Sequence, residues 1–167
     1  MKYLALLAVL ISCNAVAETP WERYLDEPSP FNASMVRSIS YSTPVQGNYN
    51  SDDLEILHLQ VLGADPQAFR LAYRLYKLSD GGLAEELGAI LASSVRPNPK
   101  FFLQQVAALH VQCSAFNVNV AGLEYVDRNK AQAYELKMRH LALTSVKERS
   151  LIRARQDCLA QLEPGHR

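Results

Sequence analysis

Two segments of this chain repeat each other at a distance of 33 residues. "ADPQAFRLA" begins at Ala64 and "PNPKFFLQQ" begins at Pro97. Asp65 matches Asn98, Pro66 matches Pro99 and Phe69 matches Phe102. Upstream, Leu54 matches Leu87 and Leu57 matches Ile90. An Asp or Asn followed by Pro is a helix start, because Pro at the first helical position gives up an N–H that had no partner there anyway. Two helices per period near 33 residues form a unit that cannot bury its apolar sides alone, so neighbouring units must stack. This repeat predicts an all-α fold of about three stacked helical hairpins.

Apolar spacing fills in the helices. Leu54, Leu57, Val61 and Leu62 keep a helical period behind Ser51, a predicted N-cap, and Gly63 is the predicted stop. Phe69, Ala72, Tyr73, Leu75 and Tyr76 give the second helix a wide apolar side, which Gly81-Gly82 is expected to end. Leu83, Leu87, Ile90 and Leu91 mark a third helix, and Asn98-Pro99 opens a fourth. A fifth is predicted from about Arg128 with Tyr134, Met138 and Leu141 on one side. Ser145 and Glu148 read as a capping box for a sixth, on which Leu151, Cys158 and Leu162 form one stripe. Residues 114–127 break this period. Phe116, Val118 and Val120 alternate with Asn117 and Asn119 like a strand, but with no second strand to pair they read as an ordered loop. The 33-residue period resembles tetratricopeptide or HEAT-type stacking. The likeness covers about 55 residues and concerns architecture alone.

The start of the chain carries an export signal. Lys2 is a short positive region, Tyr3–Ile11 an apolar run of nine, and Ala15-Val16-Ala17 an A-x-A cleavage site. The run is well below the ~20 apolar residues a spanning helix needs. Cleavage after Ala17 leaves 150 of the 167 residues, enough for one domain with a sizeable core. A second reading is open. Leu10-Ile11-Ser12-Cys13 resembles the bacterial lipobox, which would make Cys13 a lipidated N-terminus. The expected location is the periplasm, with a membrane-anchored lipoprotein as the alternative. The domains then read as a signal peptide over 1–17 and a polar Pro/Ser/Asn-rich lead-in over 18–50. A single α-helical domain follows over 51–163, built from a repeat-like pair at 54–113 and a terminal hairpin at 128–162. Trp21, Tyr24 and Leu25 in the lead-in are expected to form a short helical turn docked on the body.

Either cut leaves Cys113 and Cys158 as a pair in an oxidising compartment, and they are expected to bond. Such a loop restrains the unfolded chain by roughly 4 kcal/mol in the chain-entropy model. Charge is balanced overall at 17 basic and 17 acidic residues, so nothing global points to nucleic acid. Its distribution is uneven. Residues 18–65 hold eight acidic and two basic side chains, whereas residues 128–167 hold nine basic and four acidic. The two ends either attract each other or offer a basic face to an acidic partner or surface.

No catalytic or cofactor constellation stands out. His58 and His110 sit in apolar helical stretches and read as partly buried histidines. His110, Cys113 and His140 lack the spacing of a zinc site, and the disulfide competes for Cys113. Glu85 and Glu86 are adjacent on a helix and so diverge by about 100°, which prevents them from working on one bond. "SDGGL" lacks the Lys and Ser/Thr of a phosphate loop. No metal, cofactor or catalytic residue is therefore expected. The positive candidates are surfaces, since hairpin stacks bind partners on one face or through long loops. Loops 38–51 and 114–126 mix aromatic residues with Asn, a composition suited to contact, and name Tyr41, Tyr49, Phe116, Asn117 and Asn119 as interface residues. The expected function is binding of another protein, as an inhibitor, an immunity-type partner of a toxin or an accessory part of an envelope complex. A wall-directed hydrolase with dispersed residues and a lipid-anchored structural protein are the other readings.

Overall fold

The computed structural model describes residues 20–36, 51–116 and 130–163, with side-chain detail in the second stretch from Asp53 onward. Among these residues it contains eight α-helices, two short 3-10 turns and no strand. The fold is all-α, as the repeat predicts.

The repeat forms four helices, α3 (Ser51–Leu62), α4 (Pro66–Leu78), α5 (Gly81–Ser93) and α6 (Pro99–Leu109). α5 returns along both α3 and α4, and α6 packs on α4. The matched repeat positions Leu54, Leu57, Leu87 and Ile90 are all buried. Phe69 and Phe102 meet each other directly, edge to face, with ring centroids 6.0 Å apart. Burying each such side chain contributes roughly 1.5–3 kcal/mol, which is why the periodic positions decide the fold. The two Pro-initiated starts are not equivalent, however. Asp65 caps α4 through its Oδ1, which accepts from the N–H groups of Gln67 and Ala68. Asn98 makes no such cap. Its Nδ2 instead donates to the Leu62 carbonyl at 2.6 Å and ties the end of α3 to the start of α6.

Two helix boundaries differ from the sequence expectation. α4 ends at Leu78, where Ser79 takes over the carbonyls of Leu75 and Tyr76. Gly81 then begins α5 with φ +51°, a left-handed conformation that glycine tolerates, so the Gly pair opens a helix and does not close one. α3 is closed one residue later than Gly63. Ala64 takes the left-handed position, its N–H bonding to Val61 and that of Asp65 to Gln60. This is a Schellman motif built on alanine. The N-cap expected of Ser51 lies outside the described side chains.

The lead-in forms α1 (Pro20–Asp26) and α2 (Pro30–Met35). Trp21 and Tyr24 are fully buried against the repeat core, as expected of a docked turn. Arg74 of α4 holds the second short helix in place. Its Nη2 donates to the carbonyls of Ala33 and Val36, the latter at 2.8 Å.

The terminal pair is α7 (Lys130–Ser145) and α8 (Ile152–Gln161), joined through a 3-10 turn at Arg149–Leu151. The capping box is not formed. Ser145 Oγ donates back to the Ala142 carbonyl, and Glu148 pairs with Lys100 at 2.7 Å. The side that α7 turns inward is not its Tyr134–Met138–Leu141 stripe. Tyr134 and Leu141 are exposed, at 57% and 51%. Arg139 and Leu143 are buried in their place, with Leu136 and Gln132 half-buried on the same side. Glu135 explains why an arginine can turn inward. It accepts from Arg139 at 3.4 Å and from Arg96 at 3.0 Å, so the buried charge is paired.

Candidate functional site

The predicted disulfide forms. Cys113 and Cys158 are bonded and fully buried, with Cα atoms 4.9 Å apart. Cys113 opens the 3-10 turn Cys113–Phe116, and Cys158 lies on the inner side of α8. A second link reinforces the first, because Asp157, next to Cys158, accepts the N–H of Cys113. The last helix is thus pinned to the end of the repeat at both a covalent and a hydrogen-bonded point.

A cavity of about 400 Å³ lies beside this clamp, between the end of α6 and the start of α8. Val106, Ala107, Val111 and Ala154 supply its apolar lining, and His110, Gln112, Ser150, Arg153 and Asp157 its polar lining. Helical spacing explains the α8 wall, since residues 150, 153, 154 and 157 share one face. The α6 wall ends in a second Schellman motif. His110 is left-handed at φ 53°, its N–H bonds to Ala107 and Val106, and the Val111 N–H bonds to Val106. The turn that this makes leaves His110 exposed, where the sequence suggested a partly buried histidine within a helix. Among the described residues no hydrogen bond joins His110 to Ser150 or Asp157, and Asp157 is engaged by the Cys113 backbone.

A second surface is the outer side of α7. Tyr134, Met138 and Leu141 recur at helical spacing, with Lys130 and Lys137 beside them. Neither lysine has a carboxylate partner among the described residues. The carboxylates of this region are instead turned inward or spoken for. Glu135 is held by two arginines, Glu148 by Lys100, and Asp157 by the Cys113 N–H. The hydrogen bond and charge of Lys100 hold the Glu148 carboxyl below the usual range.

Of the residues singled out as interface, Phe116 falls among those described, and it is fully buried. Its ring lies 5.2 Å from that of Tyr73, 5.7 Å from Phe69 and 5.4 Å from Phe102. Phe116 therefore anchors the disulfide turn to the repeat core and is not open to a partner. Tyr41, Tyr49, Asn117, Asn119 and Cys13 lie outside the described residues. His58 is half-buried with no partner for Nε2 among the described residues, and burial pushes its pKa down, partly opposed by Glu55. Among the described residues no group of three or more His, Cys, Asp or Glu could hold a metal ion. No helix there is long and apolar enough to cross a membrane.

Sequence reasoning missed the cavity. Its residues come from two distant stretches, 106–112 and 150–157, and carry no motif. The one signal was the 150, 153, 154, 157 spacing, which gains meaning only once α6 is known to lie opposite. No family model matches this chain, and neither the curated proteins nor the solved structures contain a significant match to it.

Proposed function

We infer that this chain is an exported, periplasmic protein-binding protein with no catalysis of its own, and that its partner presents acidic and apolar side chains together. The observation that supports this reading is the outer side of α7. Tyr134 and Leu141 are exposed there with Met138 half-buried on the same side, flanked by lysines, while the carboxylates nearby are engaged in pairs of their own. A helix face of this kind is the usual counterpart of an acidic, partly apolar protein surface. An inhibitor, an immunity-type partner or an accessory envelope subunit would use it in the same way.

Site-specific photo-crosslinking at Tyr134 and Leu141 in intact cells tests the reading. A discrete crosslinked protein, lost when Lys130 and Lys137 are both changed to Glu, is the expected result. Crosslinking at these positions no stronger than at exposed Arg70 on α4 would overturn it. Mass spectrometry of the mature N-terminus decides the companion claim about export, with Glu18 expected as the first residue. An acylated Cys13 would move the protein to the membrane surface, and an uncleaved Met1 would sink export.

A further inference from the structure

The cavity between α6 and α8 has chemistry of its own. Its one cation, Arg153, is exposed and has no carboxylate within ion-pair distance among the described residues. The carboxylate nearest in sequence on its own helix, Asp157, is occupied by the Cys113 N–H. Arg153 stands in the first turn of α8, a ten-residue helix, and Ser150 in the 3-10 turn just before it, where the helix dipole adds positive potential. The opposing negative end of α6 is muted, because the carbonyls of Val106 and Ala107 already accept the N–H groups of Val111 and His110. Val106 and Ala154 are buried and give the cavity an apolar floor, with Ala107 and Val111 beside them. Gln112, Ser150 and His110 can each donate and accept around the rim. A volume of about 400 Å³ lies within the usual range of ligand pockets, ~300–1,000 Å³.

We propose that this cavity receives an acidic peptide segment of the partner, with a Glu or Asp carboxylate on Arg153 and the side-chain stem on the Val106–Ala154 floor. Gln112 and Ser150 face the segment's backbone amides, and His110 is the second donor to the carboxylate. The proposal rests on the protein-binding reading and assigns it a specific pocket.

Two matched peptides test it on the oxidised, full mature protein: acetyl-Leu-Glu-Leu-Glu-amide and acetyl-Leu-Gln-Leu-Gln-amide, titrated by NMR. The glutamyl peptide is expected to shift Gln112, Ser150, the Arg153 Nε–H and the His110 ring saturably, and to bind about tenfold more tightly than the glutaminyl one. Arg153→Gln should remove that preference. His110→Gly is the control for folding. Glycine suits φ 53° better than histidine does, so this variant should melt no lower than the native protein and still bind the glutamyl peptide more weakly. Equal binding of the two peptides, absent shifts, or shifts confined to other surfaces would overturn the proposal. So would a preference for phosphatidylglycerol vesicles that Arg153→Gln abolishes, since the cation would then serve a lipid headgroup. If the pocket fails while crosslinking from α7 still captures a partner, protein binding survives and the pocket assignment alone falls.

Discussion

Helices α4 and α7 have similar lengths, 13 and 16 residues, and each carries an apolar side that can be read from its spacing. α4 buries that side. Phe69, Ala72 and Leu75 are inside, and Tyr73 and Tyr76 are half-covered. α7 does the opposite, exposing Tyr134 and Leu141 and burying Arg139. The difference comes from what each helix meets. α4 lies against α3, α5 and α6 and has apolar neighbours on every inner side. Among the described helices α7 packs chiefly on α6 and α8, and its position is set by its final turn, where Leu143 and the following Val146 are buried. Upstream of that turn, Arg96 from the α5–α6 connection offers Glu135 a partner, and Arg139 completes the pair. Amphipathicity thus shows that a helix has two sides. Which of them turns inward depends on the neighbours.

The comparison breaks most sharply on paired truncations. Phe69→Ala removes the ring shared by Phe101, Phe102 and Phe116. It should cost about 3–5 kcal/mol. Leu141→Ala should stay within about 0.5 kcal/mol, as for an exposed residue. Urea midpoints of the two variants measure both. A large loss from Leu141→Ala would mean that the outer side of α7 is covered in the folded monomer.

The ion pair gives the next largest effect. Arg139→Ala leaves the Glu135 carboxylate with Arg96 alone and opens space on the inner side of α7. A loss of about 1–3 kcal/mol is expected. Arg139→Met combined with Glu135→Gln keeps the packing volume and removes both charges. That double variant should lie within about 1 kcal/mol of the native protein, because a paired charge is often replaceable by apolar volume. Equal losses in the two variants would show that the guanidinium is needed for its own sake.

Much of the fold was legible, and the limits have physical causes. The 33-residue period located α3 to α6 because burial acts on each periodic apolar position, and Leu54, Leu57, Phe69, Leu87, Ile90 and Phe102 are all inside. Cysteine parity pointed to Cys113–Cys158 once the export reading had set Cys13 aside. Polar residues were harder to place. Asn98 looked like a copy of Asp65 but bonds across to Leu62, and Ser145 and Glu148 looked like a box but each found another partner. Such side chains choose among several acceptors of similar worth, and only the assembled fold decides. The cavity was hidden for the same reason, being made where two distant helices meet.

A smaller effect separates two left-handed positions, one that closes a helix and one that opens one. Ala64 closes α3 at φ 62°. An L-residue there is strained by ~1–2 kcal/mol, while glycine adds unfolded-state entropy of ~0.5–1 kcal/mol. Ala64→Gly should therefore stabilise the protein by about 0.5–1 kcal/mol, visible as a raised melting temperature. The same exchange at Gly81 in reverse, Gly81→Ala, should lower it, since φ there is +51°. No atom would meet the added Cβ, so the loss would report backbone strain, less the unfolded-state entropy that alanine removes.

The least of these effects is a dependence on pH that belongs to the repeat half. Arg139, the buried charge of the terminal pair, is matched by Glu135, but His58 on α3 is half-buried with no partner for Nε2 among the described residues. Burial lowers its pKa below the ordinary 6.5, and the nearby Glu55 charge offsets this only in part. The folded protein therefore resists a proton that the unfolded chain accepts as pH drops below 6.5. Unfolding then takes up a proton, so stability is full above that pH and declines as pH falls through the window between the two values. Melting temperatures at about pH 7.5 and pH 5.5 measure the decline. His58→Leu removes the titrating group and fills its space with an apolar side chain, so its curve should be flatter over that interval. An unchanged slope in the variant would place the acid sensitivity elsewhere.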